Sequence, residues 1–493
     1  MITLLILIPL VGAIVVSALP RGASRPVALL FTLAGAIATL VLWSRFDAGQ
    51  GGLQMIERHP WIPAVGAEYF TGVDGLSMLL LILTSIIIPF GLLARNCERG
   101  FCALMLVLES ALYGTFTAEN FVLWFLFYEM SLVPAFVLIR NWGGENSARA
   151  ATKFFVYTFL GSVAMLLGFV AVYRYAGTFD FVKLAELGPK GIVSGPLGWV
   201  VFICICFGLA VKVPIFPFHT WLPDAYTSAP AGVSIVLTGV LSKMGVYGFV
   251  RLVLPLFPRQ THIAGPWLLG LTVCSIVFAS LAAWAQRDLK RMIAYLSINH
   301  LGYCMLGLFA VAAGMGPIGP VSRSAIDVNA ALSGVFIQLF NHGITAAALF
   351  YFAGLLEKRF GRRGLDDFGG LMQCAPIFCA FMSVAMFSSL GLPGLNGFIG
   401  EFLIFKGAFA LAAIASSVAA LGLLFTAIAL LRAMQGLFSG PLSERSSTFP
   451  ELTAGELAIV APVSLLMLWI GISPQFILNI FNSTVAHMAR LLV

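Results

Sequence analysis

The stretch "GLAVKVPIFPFHTWLPDAYTSAP" at residues 208–230 sets Lys212 at the end of an uncharged apolar run, "WVVFICICFGLAV" at 199–211. Pro214 and Pro217 follow at once. Proline has no backbone donor and clashes with the preceding turn, so the helix that carries Lys212 is expected to break there. Broken backbone at membrane depth is tolerated only where protein or water satisfies it. Lysine and break together are therefore expected to form a hydrated, switchable spot in a bilayer; the alternative is a proline kink whose lysine snorkels to the interface.

The rest of the chain supports the membrane setting. Of 493 residues, 60% are hydrophobic and 10% charged, against roughly a quarter charged in a soluble domain. The first run, "MITLLILIPLVGAIVVSALPRGASRP", has no basic leading segment and is expected to be a retained helix. At roughly 20 residues per crossing, hydropathy predicts an all-α polytopic protein of about 14 transmembrane helices. They lie near 2–20, 25–45, 74–94, 101–118, 120–139, 150–174, 197–216, 231–255, 266–285, 291–313, 327–354, 375–408, 411–435 and 455–480. The seventh and twelfth look interrupted, the twelfth by "SSLGLPGLNGFIGEF" at 388–402. There Gly394 and Gly397 are expected to permit non-helical turns. Paired breaks of this kind are the mark of inverted repeats in transporters.

The formal charge is +7, but the basic residues are scattered over short loops and form no stripe for a nucleic acid. With the N-terminus outside, one set of loops collects Arg21, Arg25, Arg95, Arg99, Arg140, Arg149, Arg287, Lys290, Arg291, Lys358, Arg359, Arg362, Arg363, Arg432 and Arg445. The opposite side, which is taken to include Arg251, holds fewer, so both termini are expected on the non-cytoplasmic side. The eight cysteines, at 97, 102, 204, 206, 274, 304, 374 and 379, lack metal-site spacing and are expected to be buried free thiols.

Four charges stand inside apolar runs: Glu129, Lys212, Lys243 in "GVLSKMGVYGFVRL", and Glu401 beyond the second break. A charge at a helix centre costs about 2.5–3.5 kcal/mol, which marks the set as functional or as structural ion pairs. His300 and His342 fall near the middle of the tenth and eleventh helices; each is either a packed hydrogen-bonder or a proton carrier, since histidine titrates near neutrality. Carboxylates, lysines and histidines joined by water are the parts of a proton wire. His219 and Asp224 are expected to cap and stabilise a loop, Lys153 to snorkel or to take up protons, and Lys406 to serve as counter-ion to Glu401.

"FYEMSLVPAFVLI", "KVPIFPFHTWLPDAYTSAP", "GVLSKMGVYGFVRL", "QRDLKRMIAYLSINHLGY", "NHGITAAALF" and "GLPGLNGFIGEF" follow one another along the chain. In these motifs it resembles the antiporter-like subunit M family of NADH:quinone oxidoreductase, the chain 4 type. The resemblance covers nearly the whole chain and implies fourteen helices with two inverted five-helix repeats. The expected regions are 1–99, 100–255 for the first repeat, 256–435 for the second, and 436–493. It also implies a proton-conducting role for Glu129 paired with Lys212, for the bridging Lys243, for the axis histidines His300 and His342, and for the terminal Glu401. Sister L and N types carry lysine at that last place. Flavin, iron–sulfur clusters and quinone are expected in other subunits, with none bound by this chain, and the partners are L-type and N-type subunits in a bacterial plasma membrane or a cyanobacterial thylakoid. The "GLNG" and the short loop "GMGPIGPVSRS" leave the electron donor open between NADH and ferredoxin and incline it to the photosynthetic branch. A cation/proton antiporter subunit without redox partners, or a scaffold with an idle channel, are the competing functions.

Overall fold

The computed structural model of the chain describes residues 1–20, 22–94, 98–191, 194–314, 325–442 and 446–492. Arg21, Arg95, Cys97, Arg323, Arg445 and, after Gly314, the rest of the "GMGPIGPVSRS" loop lie outside the described residues. The chain begins with α1 (Ile2–Ala18) and α2 (Ser24–Arg45). A β-hairpin follows, β1 (Gln54–Ile62) and β2 (Ala67–Val73), antiparallel with His59 opposite Tyr69. Then come α3 (Gly75–Leu93), α4 (Arg99–Thr117), α5 (Phe121–Trp142) and α6 (Ser147–Ala176).

The broken seventh unit is α7 (Gly195–Lys212) and α8 (Trp221–Ser228). It leads into α9 (Ala231–Leu256), α10 (Pro258–Trp284), α11 (Leu289–Ala313) and α12 (Ala325–Phe360). The second broken unit is α13 (Pro376–Leu390) and α14 (Asn396–Leu411), followed by α15 (Ala413–Phe438), α16 (Ala454–Ile472) and α17 (Gln475–Leu492).

Among the described residues, twelve helices are long and apolar enough to cross a membrane, with α1 and α13 as shorter apolar helices. The fourteen crossings read from hydropathy require that α1 and the α13–α14 pair each cross as well. Helices α9, α11 and α12 are almost wholly buried, whereas α2, α15 and α16 turn most of their surface outward. A helix apolar on all sides belongs in the middle of such a bundle, and the middle is where the intramembrane charges sit.

Two elements depart from the all-helical expectation. The hairpin was hidden because most of β1 is exposed, so its side chains do not alternate in hydrophobicity as a half-buried strand's would. An isolated hairpin is marginal in water; this one is anchored by the Glu119 amide, which donates to the Phe70 carbonyl at 2.9 Å. The last helix was expected to run to 480. Instead α16 stops at Ile472, and after Ser473 and Pro474 the separate α17 begins. It docks back where the Gly75 amide donates to Thr484 Oγ1 at 2.9 Å, and a Cβ at Gly75 would lie 2.6 Å from the Phe481 Cα.

Candidate functional site

The break between α7 and α8 is satisfied by protein. Trp221 Nε1 donates to the Val211 carbonyl at 2.9 Å, the Phe216 amide to Ser275 Oγ at 2.7 Å, and the Ile215 amide reaches back to the Ala210 carbonyl at 2.9 Å. Lys212 ends α7 buried, its Nζ 4.7 Å from the centroid of the Tyr128 ring on α5. This is cation–π range. Glu129, half-buried on the same helix, lies within electrostatic reach of Lys212 but forms no ion pair with it at 4.0 Å. The expected Glu129–Lys212 pair is thus an open one, with Tyr128 occupying the position next to the ammonium.

One break later in space, Lys243 is wholly buried on α9. This helix widens to π geometry at Leu237–Leu241, just before the lysine, a feature frequent at functional sites. Lys243 Nζ donates to the Thr238 carbonyl and lies 2.8 Å from His342 Nδ1 on α12. The His342 and His300 rings are 5.3 Å apart, centroid to centroid. His300, on α11, contacts Ser389 Oγ at 3.0 Å through Nε2 and Glu401 Oε1 at 3.0 Å through Nδ1. In the latter contact the two atoms lie within ion-pair distance but are not aligned as a hydrogen bond. Lys243, His342, His300 and Glu401 therefore form one continuous buried row across α9, α12, α11 and α14.

Glycine and asparagine shape the far end of that row. Gly391 has φ +79° and a Cβ there would meet Glu401 Oε2 at 2.5 Å, so glycine serves both the left-handed turn and the seat of the carboxylate. Gly394, with φ +92°, is the expected non-helical glycine. Gly397 is not: it lies inside α14, where its missing Cβ lets the helix pass the Ser388 carbonyl, 1.9 Å from where a Cβ would stand. Asn341 and Asn396 exchange amide-to-carbonyl bonds at 2.6 and 3.3 Å, and Ser388 Oγ donates to Asn396 Oδ1 at 2.5 Å. The break is thereby clasped to α12 beside His342.

Residues 118–429 match the family described as "NADH:quinone oxidoreductase/Mrp antiporter, TM". NADH-quinone oxidoreductase subunit M of Rickettsia conorii is 36% identical over 94% of this chain and 91% of its own length. A chain of respiratory complex I from Thermus thermophilus superposes with a TM-score of 0.89 at 28% identity, covering all of both chains. A chain of the Mrp complex from Dietzia shares the fold, with a TM-score of 0.84 at 20% identity over 100% of this chain and 99% of that one.

The chain belongs to the oxidoreductase/Mrp antiporter membrane-subunit family. Within this family member, several sequence expectations change. Lys406 is exposed on α14 and is not the partner of Glu401, which faces His300. Asp224 caps nothing; it pairs with Lys153 at 2.7 Å and Arg291 at 3.0 Å, and Lys153 also donates to the Thr220 carbonyl at 2.8 Å. His219 packs its ring between Phe216 and Phe278. Cys274 is exposed on α10, not buried. Lys290, read as a loop residue, is buried and bound to Glu357.

Several buried charged groups were missed, Asp74, Glu119 and Asp180 among them. Arg251, counted with the charges of the opposite side, is inside α9 and bonded to Asp74 at 2.8 Å. Glu109 is wholly buried in α4 and accepts from the Tyr113 hydroxyl at 3.2 Å. The signal for Glu109 was present, an acid within the apolar "CALMLVLESALY" at 102–113.

Proposed function

We propose that the chain is a proton-translocating membrane-arm subunit of a redox-driven quinone oxidoreductase, moving protons while quinone is reduced in other subunits. The single observation that carries this is the buried Lys243–His342–His300–Glu401 row. With Lys243 as ammonium, His342 Nδ1 accepts and its hydrogen resides on Nε2. A proton passed from Nζ to Nδ1 makes His342 cationic; loss of the Nε2 hydrogen towards His300 restores a neutral ring, and the Glu401 carboxylate takes up the proton that His300 passes on. Each site gains one proton and gives one. Nε2 of His342, a buried ring nitrogen with no hydrogen-bond partner, is a group that a bridging water would satisfy.

Lys212 and Glu129 then act as the gate. The attraction between two charges falls with distance and grows where water is excluded, so a few ångströms of movement at the Val213–Thr220 break changes how strongly Lys212 holds its proton. Glu129, Lys212, Lys243, His300, His342 and Glu401 are the site residues of this reading. The two breaks support a division into inverted repeats at 100–255 and 256–435, between 1–99 and 436–493. The loop charges favour termini on the non-cytoplasmic side of a bacterial plasma or thylakoid membrane. L-type and N-type subunits are the expected neighbours, and flavin, iron–sulfur clusters and quinone are assigned to other subunits.

The fold shared with an Mrp complex favours one second reading, a cation/proton antiporter subunit. Isolating the native assembly decides between them. Iron–sulfur absorbance that is bleached by reductant, with quinone reduction coupled to proton uptake in vesicles, is expected. An assembly of membrane subunits alone, without redox absorbance, overturns the redox reading and favours the antiporter.

A further inference from the structure

Below the hairpin lies a second group of buried charges that the row above does not use. Arg251 Nη2 contacts Asp74 Oδ1 at 2.8 Å and Glu119 Oε1 at 3.5 Å. It also donates to Ser77 Oγ at 3.1 Å, while Nε donates to the Tyr247 hydroxyl at 3.2 Å. Asp74, Glu119 and Tyr247 are all buried. Asp74 is fully engaged, since it also caps α3 by accepting from the Ser77 amide at 2.9 Å. Glu119 is not: its Oε1 is buried without a hydrogen-bond partner.

The charges do not balance. One guanidinium serves two buried carboxyls, and a third, Asp180, lies close enough to Glu119 to repel its charge. Arginine keeps its proton, and like charges in a shared site cannot all ionise freely. The cluster therefore has room for one exchangeable proton, and Glu119, the carboxyl with the weaker contact, is where it belongs.

The surroundings form a path outward. Asp180, buried, pairs with Arg58 at 2.8 Å, and Arg58 reaches the surface with Glu68. Inward, Tyr247 stands one helical turn from Lys243 on α9, and residues four apart share a helix face. The backbone of Glu119 is held from both sides, by Phe70 of the hairpin and by the Phe181 amide, each at 2.9 Å.

We propose that Glu119 is the group through which protons exchange between the Lys243 region and the solvent at the hairpin end of the molecule. This rests on the proton-translocating reading. A proton arriving from the Tyr247 side neutralises the Glu119 carboxylate; its loss to water at the Arg58–Glu68 mouth restores the anion, and Arg251 stays charged throughout. Glu119 lies in the connection between α4 and α5, and burial first, then Asp74 and Asp180, push its carboxyl up to about 8 against the opposing Arg251. That value suits release into a near-neutral compartment.

The test uses the assembled complex in vesicles, with pH varied only on the hairpin side. Native pumping is expected to fall as that side is acidified through about pH 8. Glu119→Gln should assemble, lose this dependence, and pump about tenfold more slowly, a modest share of what acid–base groups contribute. If Glu119→Gln does not assemble, Glu119→Asp serves: a shorter carboxyl farther from Arg251 must shift the pH midpoint. Native rate and native pH profile in whichever variant assembles overturn the proposal. Lys243→Arg is the control for the underlying reading, since normal pumping in that variant removes the Lys243 row itself, whereas a defect there with normal Glu119 variants removes only the outlet.

Discussion

Lys243 is a lysine wholly buried in the middle of the bundle. Its ammonium is held by the Thr238 carbonyl and His342 Nδ1, with Ser242 Oγ at 3.4 Å and no carboxylate paired to it among the described residues. An ammonium without an anion is poorly compensated in a dry site, and in the proposed relay Lys243 passes its proton to the imidazole of His342. Lys243→Arg is expected to keep the subunit in the complex but to slow pumping about a hundredfold, because arginine retains its proton while the relay depends on giving it up. Subunit abundance and proton uptake per quinone reduced, measured together, check this; full coupling would leave Lys243 as a fixed countercharge. The type and rough depth of Lys212, Lys243, His300, His342 and Glu401 were legible from an ionisable residue in an apolar run. Their partners were not, because His342 lies 99 residues from Lys243 and Ser389 lies 89 from His300.

At the scale of elements, both broken helices trade backbone hydrogen bonds for side-chain ones. In the second break, Asn396 receives Ser388 Oγ and exchanges bonds with Asn341, while Thr345 Oγ1 lies 2.8 Å from Ser388 Oγ. Asn396→Ala strips these partners and leaves the Asn341 carbonyl and the Ser388 hydroxyl buried and short of a bond. Each unsatisfied group costs about 1–3 kcal/mol. The expected result is a less heat-stable subunit and a loosened Glu401–His300 contact, seen as a lower thermal-release temperature of this subunit from the complex and weaker pumping. An Asn396→Ala protein as heat-stable as the native one would show that the clasp is incidental. Sequence announced the two breaks through proline and glycine, and it misassigned Gly397 because a glycine needed for close approach looks like one needed for a turn.

Across the whole molecule, the hairpin fastens the start of the chain to the bundle. Glu57 of β1 accepts from the Met1 ammonium, from the Ile2 and Thr3 amides at 3.0 Å each, and from the Thr3 hydroxyl. Partial burial opposes its ionisation, but these bonds outweigh that and hold its carboxyl below the usual carboxylate range. A folded-state value below the unfolded one means docking that is fully present above the unfolded carboxylate value and lost as pH falls through the folded one. Hydrogen exchange at Ile2 and Thr3, corrected for intrinsic rates, should thus rise as pH is lowered from about 6 to about 3. Glu57→Gln should show fast exchange at both ends of that range. Uniform protection in the native protein down to the acid end would mean that Glu57 does not anchor α1.

What the amino-acid sequence determined by itself is what depends on local composition: spans long enough for a bilayer, helices broken by proline and glycine, and charges too costly to stand there without a partner or a function. Tertiary structure decided everything that depends on which spans meet. It set Glu401 against His300 in place of Lys406, opened the Glu129–Lys212 pair around Tyr128, folded a hairpin from strands with little local signal, and gathered Asp74, Glu119 and Arg251 from three separate stretches of the chain. The reason is physical. Hydropathy and backbone chemistry act within a few residues, whereas a buried charge is compensated by whichever polar group the packing brings within a few ångströms, and packing is a property of the folded whole.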